Sequence, residues 1–89
     1  MTAKVEIYSS PFCGYCARAK ALLSRKGVDY VDHDVDADSN LRTVMKARAG
    51  GRTSVPQIFI DGRHVGGCDD IHALDAAGGL DPLLAGTGG

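Results

Sequence analysis

Cys13-Gly14-Tyr15-Cys16 places two thiols three residues apart, where residues of strand character give way to residues of helical character. At a helix start, unpaired backbone N–H groups and the helix dipole favour a thiolate, here at Cys13. Cys16, one turn further in, is less exposed and close enough to attack a mixed disulfide formed on Cys13. This spacing suits thiol–disulfide exchange in which Cys13 attacks and Cys16 resolves. Zinc uses the same spacing, but it would need two more soft ligands. The chain offers only Cys68, His33, His64 and His72, with no second pair. Two inert core cysteines are the plain alternative, against which Pro11 and Gly14 put the pair in a turn rather than along an apolar face.

The elements that must hold this pair are read from periodicity. Val5 and Ile7 alternate with Lys4, Glu6 and Tyr8 as in a short strand, which Ser9-Ser10-Pro11 breaks. Cys16, Ala19, Leu22 and Leu23 then recur at helical spacing, with Arg18, Lys20 and Arg25 on the wet face and Gly27 as a left-handed stop. A second strand is expected from Val28 to Val31 or a little beyond, completing a strand–helix–strand unit of the right-handed parallel kind. Asp38 or Ser39 caps a second helix carrying Leu41, Val44, Met45 and Arg48, which ends at Ala49-Gly50-Gly51. Arg52 to Pro56 connects to a buried strand, Gln57 to Ile60, and Asp61-Gly62 is a hairpin turn returning through Arg63-His64-Val65. Asp69 or Asp70 is expected to cap a last helix with Ile71 and Leu74, ending near Gly78, after which Leu80, Leu83 and Leu84 close the core with a short turn. An initial parallel crossover and a final hairpin give a small α/β fold, a four-stranded mixed sheet flanked by helices.

Eighty-nine residues suffice for one domain, assigned to residues 1-85, with 86-89 as a disordered tail. Ten Lys+Arg against eleven Asp+Glu give a net charge of −1, which removes the bulk electrostatic case for nucleic acid or an anionic membrane. No run of 18 apolar residues occurs, and Glu6 follows Lys4 where a signal peptide would turn apolar, so the expected location is cytoplasmic. Three cysteines cannot all pair, which speaks against a disulfide-stapled secreted scaffold.

Outside the cysteine pair, Pro56 suits a turn at an open edge, and Gly66-Gly67 lets a ligand approach backbone closely, with a following helix N-terminus offering N–H groups to a carboxylate. Turn punctuation alone is the bland reading of both. Asp29, Asp32, Asp34, Asp36 and Asp38 lack the spacing of a calcium loop and read as a solvated stretch. Arg42, Lys46, Arg48 and Arg52 form a positive patch better suited to steering a small anion than to nucleic acid, since aromatic residues are not interleaved. Cys68 is either a compact apolar side chain beside Gly67 or a secondary redox site. The three histidines share no spacing that selects a role.

From Val5 to about Leu84 the chain resembles a glutaredoxin of the bacterial dithiol class, within the thioredoxin-like fold. The resemblance rests on Val5-Glu6-Ile7-Tyr8, on Cys13 to Cys16 followed by Ala17-Arg18-Ala19-Lys20, on Ser54-Val55-Pro56-Gln57, on Gly66-Gly67-Cys68-Asp69-Asp70 and on Leu80-Asp81-Pro82-Leu83-Leu84. It implies a glutathione-dependent thiol–disulfide oxidoreductase, monomeric as an enzyme, acting on disulfide-containing or glutathionylated proteins. Cys13 would form the mixed disulfide with glutathione, Cys16 would resolve protein disulfides, and Tyr15 would flank the cleft. Ser54, Val55 and Pro56 would form a cis-proline loop that pairs its backbone with the glutathione cysteinyl unit. Cys68, Asp69 and Asp70 would receive the γ-glutamyl end, and Arg42 the glycyl carboxylate. Ser10 and Gly14 depart from the lysine and proline of many members. Glycine at this motif position resembles members that hold a [2Fe-2S] cluster between two subunits, with Cys13 as the metal ligand and glutathione completing the set in a homodimer. A cluster carrier or redox sensor is therefore the alternative function, and a donor served by a thioredoxin-type reductase a further one.

Overall fold

The computed structural model describes residues 3–85, so the 86-89 tail lies outside the described residues. Its elements are β1 (Val5–Ser9), α1 (Gly14–Arg25), β2 (Tyr30–Asp34), α2 (Ser39–Arg48), β3 (Gln57–Ile60), β4 (Arg63–Gly66), α3 (Cys68–Ala76) and α4 (Leu80–Leu84). The sheet runs β2-β1-β3-β4. β1 and β2 pair in parallel through the α1 crossover, while β1–β3 and β3–β4 are antiparallel. This is the expected mixed α/β layer architecture.

Alternation along β1 and β3 divides the core into two layers. Val5, Ile7, Ile58 and Ile60 face α1, α3 and α4, meeting Leu23 and Ile71. Fully burying each such side chain stabilises the fold by roughly 1.5–3 kcal/mol. Tyr8 and Phe59 face α2 and pack with Val35, Met45 and Ala49. Both faces of β1 are therefore covered, and Glu6 is buried although its place in the alternation is polar. Arg48 accounts for it: its Nη1 and Nη2 donate to Glu6 at 3.1 and 3.0 Å, and Nη1 also donates to the Tyr8 hydroxyl at 2.8 Å. The guanidinium stacks 4.1 Å from the Phe59 ring centroid, so the second layer has a charged centre satisfied from every side.

Two boundaries differ from the expectation. The second strand begins at Tyr30, not Val28, and runs to Asp34, because its register is set by the β1 ladder from Val5↔Tyr30 to Ser9↔Asp34. As an edge strand it keeps polar side chains that have local partners: Lys20 Nζ meets Asp32 at 2.6 Å and Glu6 meets His33 at 3.2 Å. The last long helix begins at Cys68 with Gly67 as its N-cap, not with Asp69 or Asp70. Asp70 stands at the third helical position and reaches back to accept the Gly67 N–H at 2.8 Å. The other signals fall as read: Asp38 caps α2 by accepting the Asn40 N–H at 2.9 Å, and Asp61 and Gly62 both take positive φ in the hairpin turn.

Candidate active site

Cys13 is the N-cap of α1, in extended backbone, and its sulfur accepts the Cys16 N–H at 3.1 Å. The sulfur therefore sits at the start of the helix with a main-chain N–H directed at it. The thiol also lies 3.8 Å from the Val55 carbonyl, tying the β1–α1 turn to the loop before β3. Cys13 is half-buried, while Cys16 is 1% exposed. Burial pushes the Cys16 thiol up to about 12, with the hydrogen bond from Cys13 adding to the effect. The pair is thus asymmetric, with one sulfur presented and the other kept protonated behind it.

Beside Cys13 opens a cleft of about 220 Å³. One wall is Tyr15 with Ser54, Val55 and Pro56, whose Val55–Pro56 bond is cis. The other wall is Gly67, Cys68, Asp69 and Asp70, with Arg52 between them. The two loops approach closely: a Cβ on Gly67 would come within 3.2 Å of the Pro56 carbonyl, and one on Gly66 within 2.3 Å of the Asp70 carboxylate. α3 begins at this cleft, and helix first-turn N–H groups lack intrahelical acceptors, so they are available to an anion. Asp70 also accepts from Arg52 at 3.2 Å. The Gly67 N–H first, and then Arg52, hold its carboxyl below the usual range against the opposing effect of burial. The cleft therefore offers carboxylates, a guanidinium and backbone donors within a few residues, a lining suited to a ligand that carries both signs of charge.

The glutaredoxin family model matches residues 5–65. The chain belongs to the glutaredoxin family. Glutaredoxin 3 of Escherichia coli is 60% identical over 82 residues, covering 92% of this chain and 98% of the relative. The solution structure of a glutaredoxin from Brucella melitensis superposes with a TM-score of 0.84 at 52% identity, covering 99% of this chain and 94% of that one. A crystal structure of a buckwheat glutaredoxin–glutathione complex superposes with a TM-score of 0.84 at 32% identity, covering 92% and 76%. Its architecture is accordingly the thioredoxin-like fold, and its activity that of a glutathione-dependent thiol–disulfide oxidoreductase.

In this glutaredoxin the cleft gathers Tyr15, Ser54, Val55, Pro56, Cys68, Asp69 and Asp70, with Cys13 at its edge and Cys16 beneath. Arg42 stands apart from the lining; it donates to the Thr53 carbonyl at 3.3 Å and pairs with Asp36 at 3.3 Å. Cys68 lines the cleft yet is 5% exposed and packs in the larger core layer, and burial raises its thiol. His72 Nδ1 lies 3.5 Å from its sulfur and 2.8 Å from its carbonyl. Arg52 belongs to the positive patch of the sequence and, like Arg42, is a candidate to replace the cation that Ser10 lacks; its place two residues before Ser54 lets the same loop carry it into the cleft. Gln57 passed as an ordinary strand residue. It is fully buried, donating to the Ser54 carbonyl at 3.0 Å and meeting His64 at 2.7 Å, and so braces the loop from below.

Proposed function

We propose that Cys13 is the nucleophile and Cys16 the resolving thiol of an enzyme that removes glutathione from proteins and reduces protein disulfides. The observation that carries this reading is the Cys13 sulfur itself, hydrogen-bonded to the helix start and poised at the edge of a cleft lined for a zwitterion. On a glutathionylated protein, Cys13 thiolate attacks the glutathionyl sulfur, the client sulfur leaves with the electron pair and takes a proton, and a second glutathione thiolate releases Cys13 as glutathione disulfide. On a protein disulfide, Cys13 forms the mixed disulfide with one client sulfur. Cys16 then loses its proton and attacks the Cys13 sulfur, the client sulfur leaves with the electron pair as the second client thiol, and two glutathione molecules reduce the Cys13–Cys16 disulfide and are themselves oxidised to glutathione disulfide. Bound glutathione would pair its main chain with Val55, direct its γ-glutamyl end to Asp69, Asp70 and the backbone at Cys68, and direct its glycyl carboxylate toward Arg52, with Arg42 further out.

Monomeric action in a reducing compartment such as the cytoplasm follows from this chemistry. No helix among the described residues is long and apolar enough to cross a membrane. The alternative of a [2Fe-2S] cluster does not fit a single copy: Cys13 is the accessible thiol, while Cys16 and Cys68 are buried. A cluster would require a second copy and two glutathione thiols, and the motif residue Gly14 is the feature of this chain that speaks for it, whereas the cleft beside Cys13 speaks for the enzyme. The test is a glutathione-coupled assay on the mixed disulfide of glutathione with cysteine. Turnover that is lost in Cys13→Ser and kept in Cys16→Ser supports the assignment; turnover that survives Cys13→Ser overturns it.

A further inference from the structure

Phe12 immediately precedes the nucleophile and is 98% exposed. A phenyl ring left wholly in water adds nothing to the core, and full burial of such a side chain is among the larger single gains available to a protein surface. Phe12 is also absent from the lining of the cleft proposed for glutathione, whereas Tyr15, on the other side of Cys13 in sequence, belongs to that lining. Pro11, Phe12, Gly14 and Tyr15 are all exposed, and none carries a charge. The residues flanking the reacting sulfur in sequence thus form an uncharged, exposed stretch in which Phe12 is the large apolar side chain outside the cleft.

The reaction itself determines what meets that stretch. In thiol–disulfide exchange the attacking, attacked and leaving sulfurs lie close to one line. When Cys13 attacks the glutathionyl sulfur held in the cleft, the Cys13–glutathione bond forms and the glutathione–client bond breaks. The electron pair departs on a client sulfur lying beyond the cleft. The client residues next to that cysteine lie outside the cleft, where Phe12, adjacent to Cys13 and outside the cleft lining, is a large exposed apolar side chain.

We propose that Phe12 is a specificity residue for the protein client, taking up an apolar side chain adjacent to the client's reacting cysteine. This rests on Cys13 being the nucleophile, and the test separates the two. The probes are synthetic glutathionylated peptides that differ only in the residues flanking cysteine, leucine in one and serine in the other, together with the glutathione–cysteine mixed disulfide. Wild type should act on all three; failure on the small mixed disulfide would remove the nucleophile assignment, and this proposal with it. Phe12→Ser should lower kcat/KM on the leucine-flanked peptide by about fivefold, the effect of losing part of one phenyl burial. It should leave the serine-flanked peptide, the small mixed disulfide and the thermal unfolding midpoint unchanged. Phe12→Leu should restore most of the loss. An equal decline on all three substrates would mean that Phe12 shapes Cys13 rather than reading the client, and no decline on the leucine-flanked peptide would mean that it makes no contact. Either result overturns the proposal.

Discussion

The backbone N–H of Cys16 donates to the sulfur of Cys13 across 3.1 Å, so the second cysteine supports the first through its main chain while its own thiol is buried. Substituting the Cys16 side chain therefore leaves that donor in place. Cys16→Ser should keep activity on glutathione mixed disulfides within about twofold and lose most reduction of a protein disulfide, because only the second route needs a resolving thiol. Parallel assays on the two substrate types check this, and equal loss on both would show that Cys16 also shapes the cleft.

Exposure should make the three cysteines chemically unequal. Cys13 is half-buried at a helix start, whereas Cys16 and Cys68 are buried with thiols raised by that burial. Brief iodoacetamide treatment of the folded, reduced protein near neutral pH should add a single carbamidomethyl group, located on Cys13 by peptide mass spectrometry. Denatured protein should take up three. Early labelling of Cys16 in the folded state would contradict the arrangement.

The Glu6–Arg48 pair should be visible as acid sensitivity. The Arg48 hydrogen bonds hold the Glu6 carboxyl at about 2, against burial, with His33 assisting. Its ordinary value is 4.5, so the unfolded chain binds the proton more readily between these limits. The stabilisation is fully present above pH 4.5 and is lost as pH falls toward 2, amounting to up to about 3 kcal/mol. Urea unfolding of wild type should show stability falling through this window. Glu6→Gln should be less stable by about 2 kcal/mol at pH 7 and show a flatter acid limb. A variant with the wild-type slope would place the acid sensitivity elsewhere.

Two glycines near the site should respond oppositely to alanine. A Cβ on Gly66 would clash with the Asp70 carboxylate at 2.3 Å, on a residue whose φ is +123. Gly66→Ala should lose roughly 1–3 kcal/mol of stability and raise KM for glutathione by displacing Asp70. Gly14 begins α1 with nothing within 4 Å of its Cβ position and takes no positive φ, so Gly14→Ala should unfold at or slightly above the wild-type temperature. Thermal melts and glutathione titrations of both variants decide the matter.

Periodicity made the order of elements legible, and chemistry made the Cys13–Cys16 pair legible, because each depends on near neighbours in sequence. β2 begins at Tyr30, not Val28, and reaches Asp34, since an edge strand held by main-chain bonds to β1 can carry Asp32, His33 and Asp34 where the apolar pattern stops. Glu6 looked like the wet side of an alternating strand because its partner, Arg48, lies 42 residues away. The Arg52–Asp70 contact spans 18 residues and joins the loop before β3 to the first turn of α3, whose approach is set by the β3–β4 hairpin between them. Long-range pairings of polar groups leave no local pattern, and the details of the cleft consist largely of such pairings.

The unequal division of the core bears on how the molecule breathes. α2 buries only Met45 along its length, and the layer beneath it is the smaller of the two, whereas α1 buries four residues, three of them in the larger one. Amides of α2 should therefore exchange with deuterium sooner than those of α1, through openings that need not disturb the cysteine-bearing helix. The chain leaving α2 leads directly into the loop that supplies Arg52, Val55 and Pro56. One wall of the cleft is thus continuous in chain with the smaller layer, and Cys13 with the helix that serves the larger one, so exchange measured along the two segments should differ across the mouth of the site.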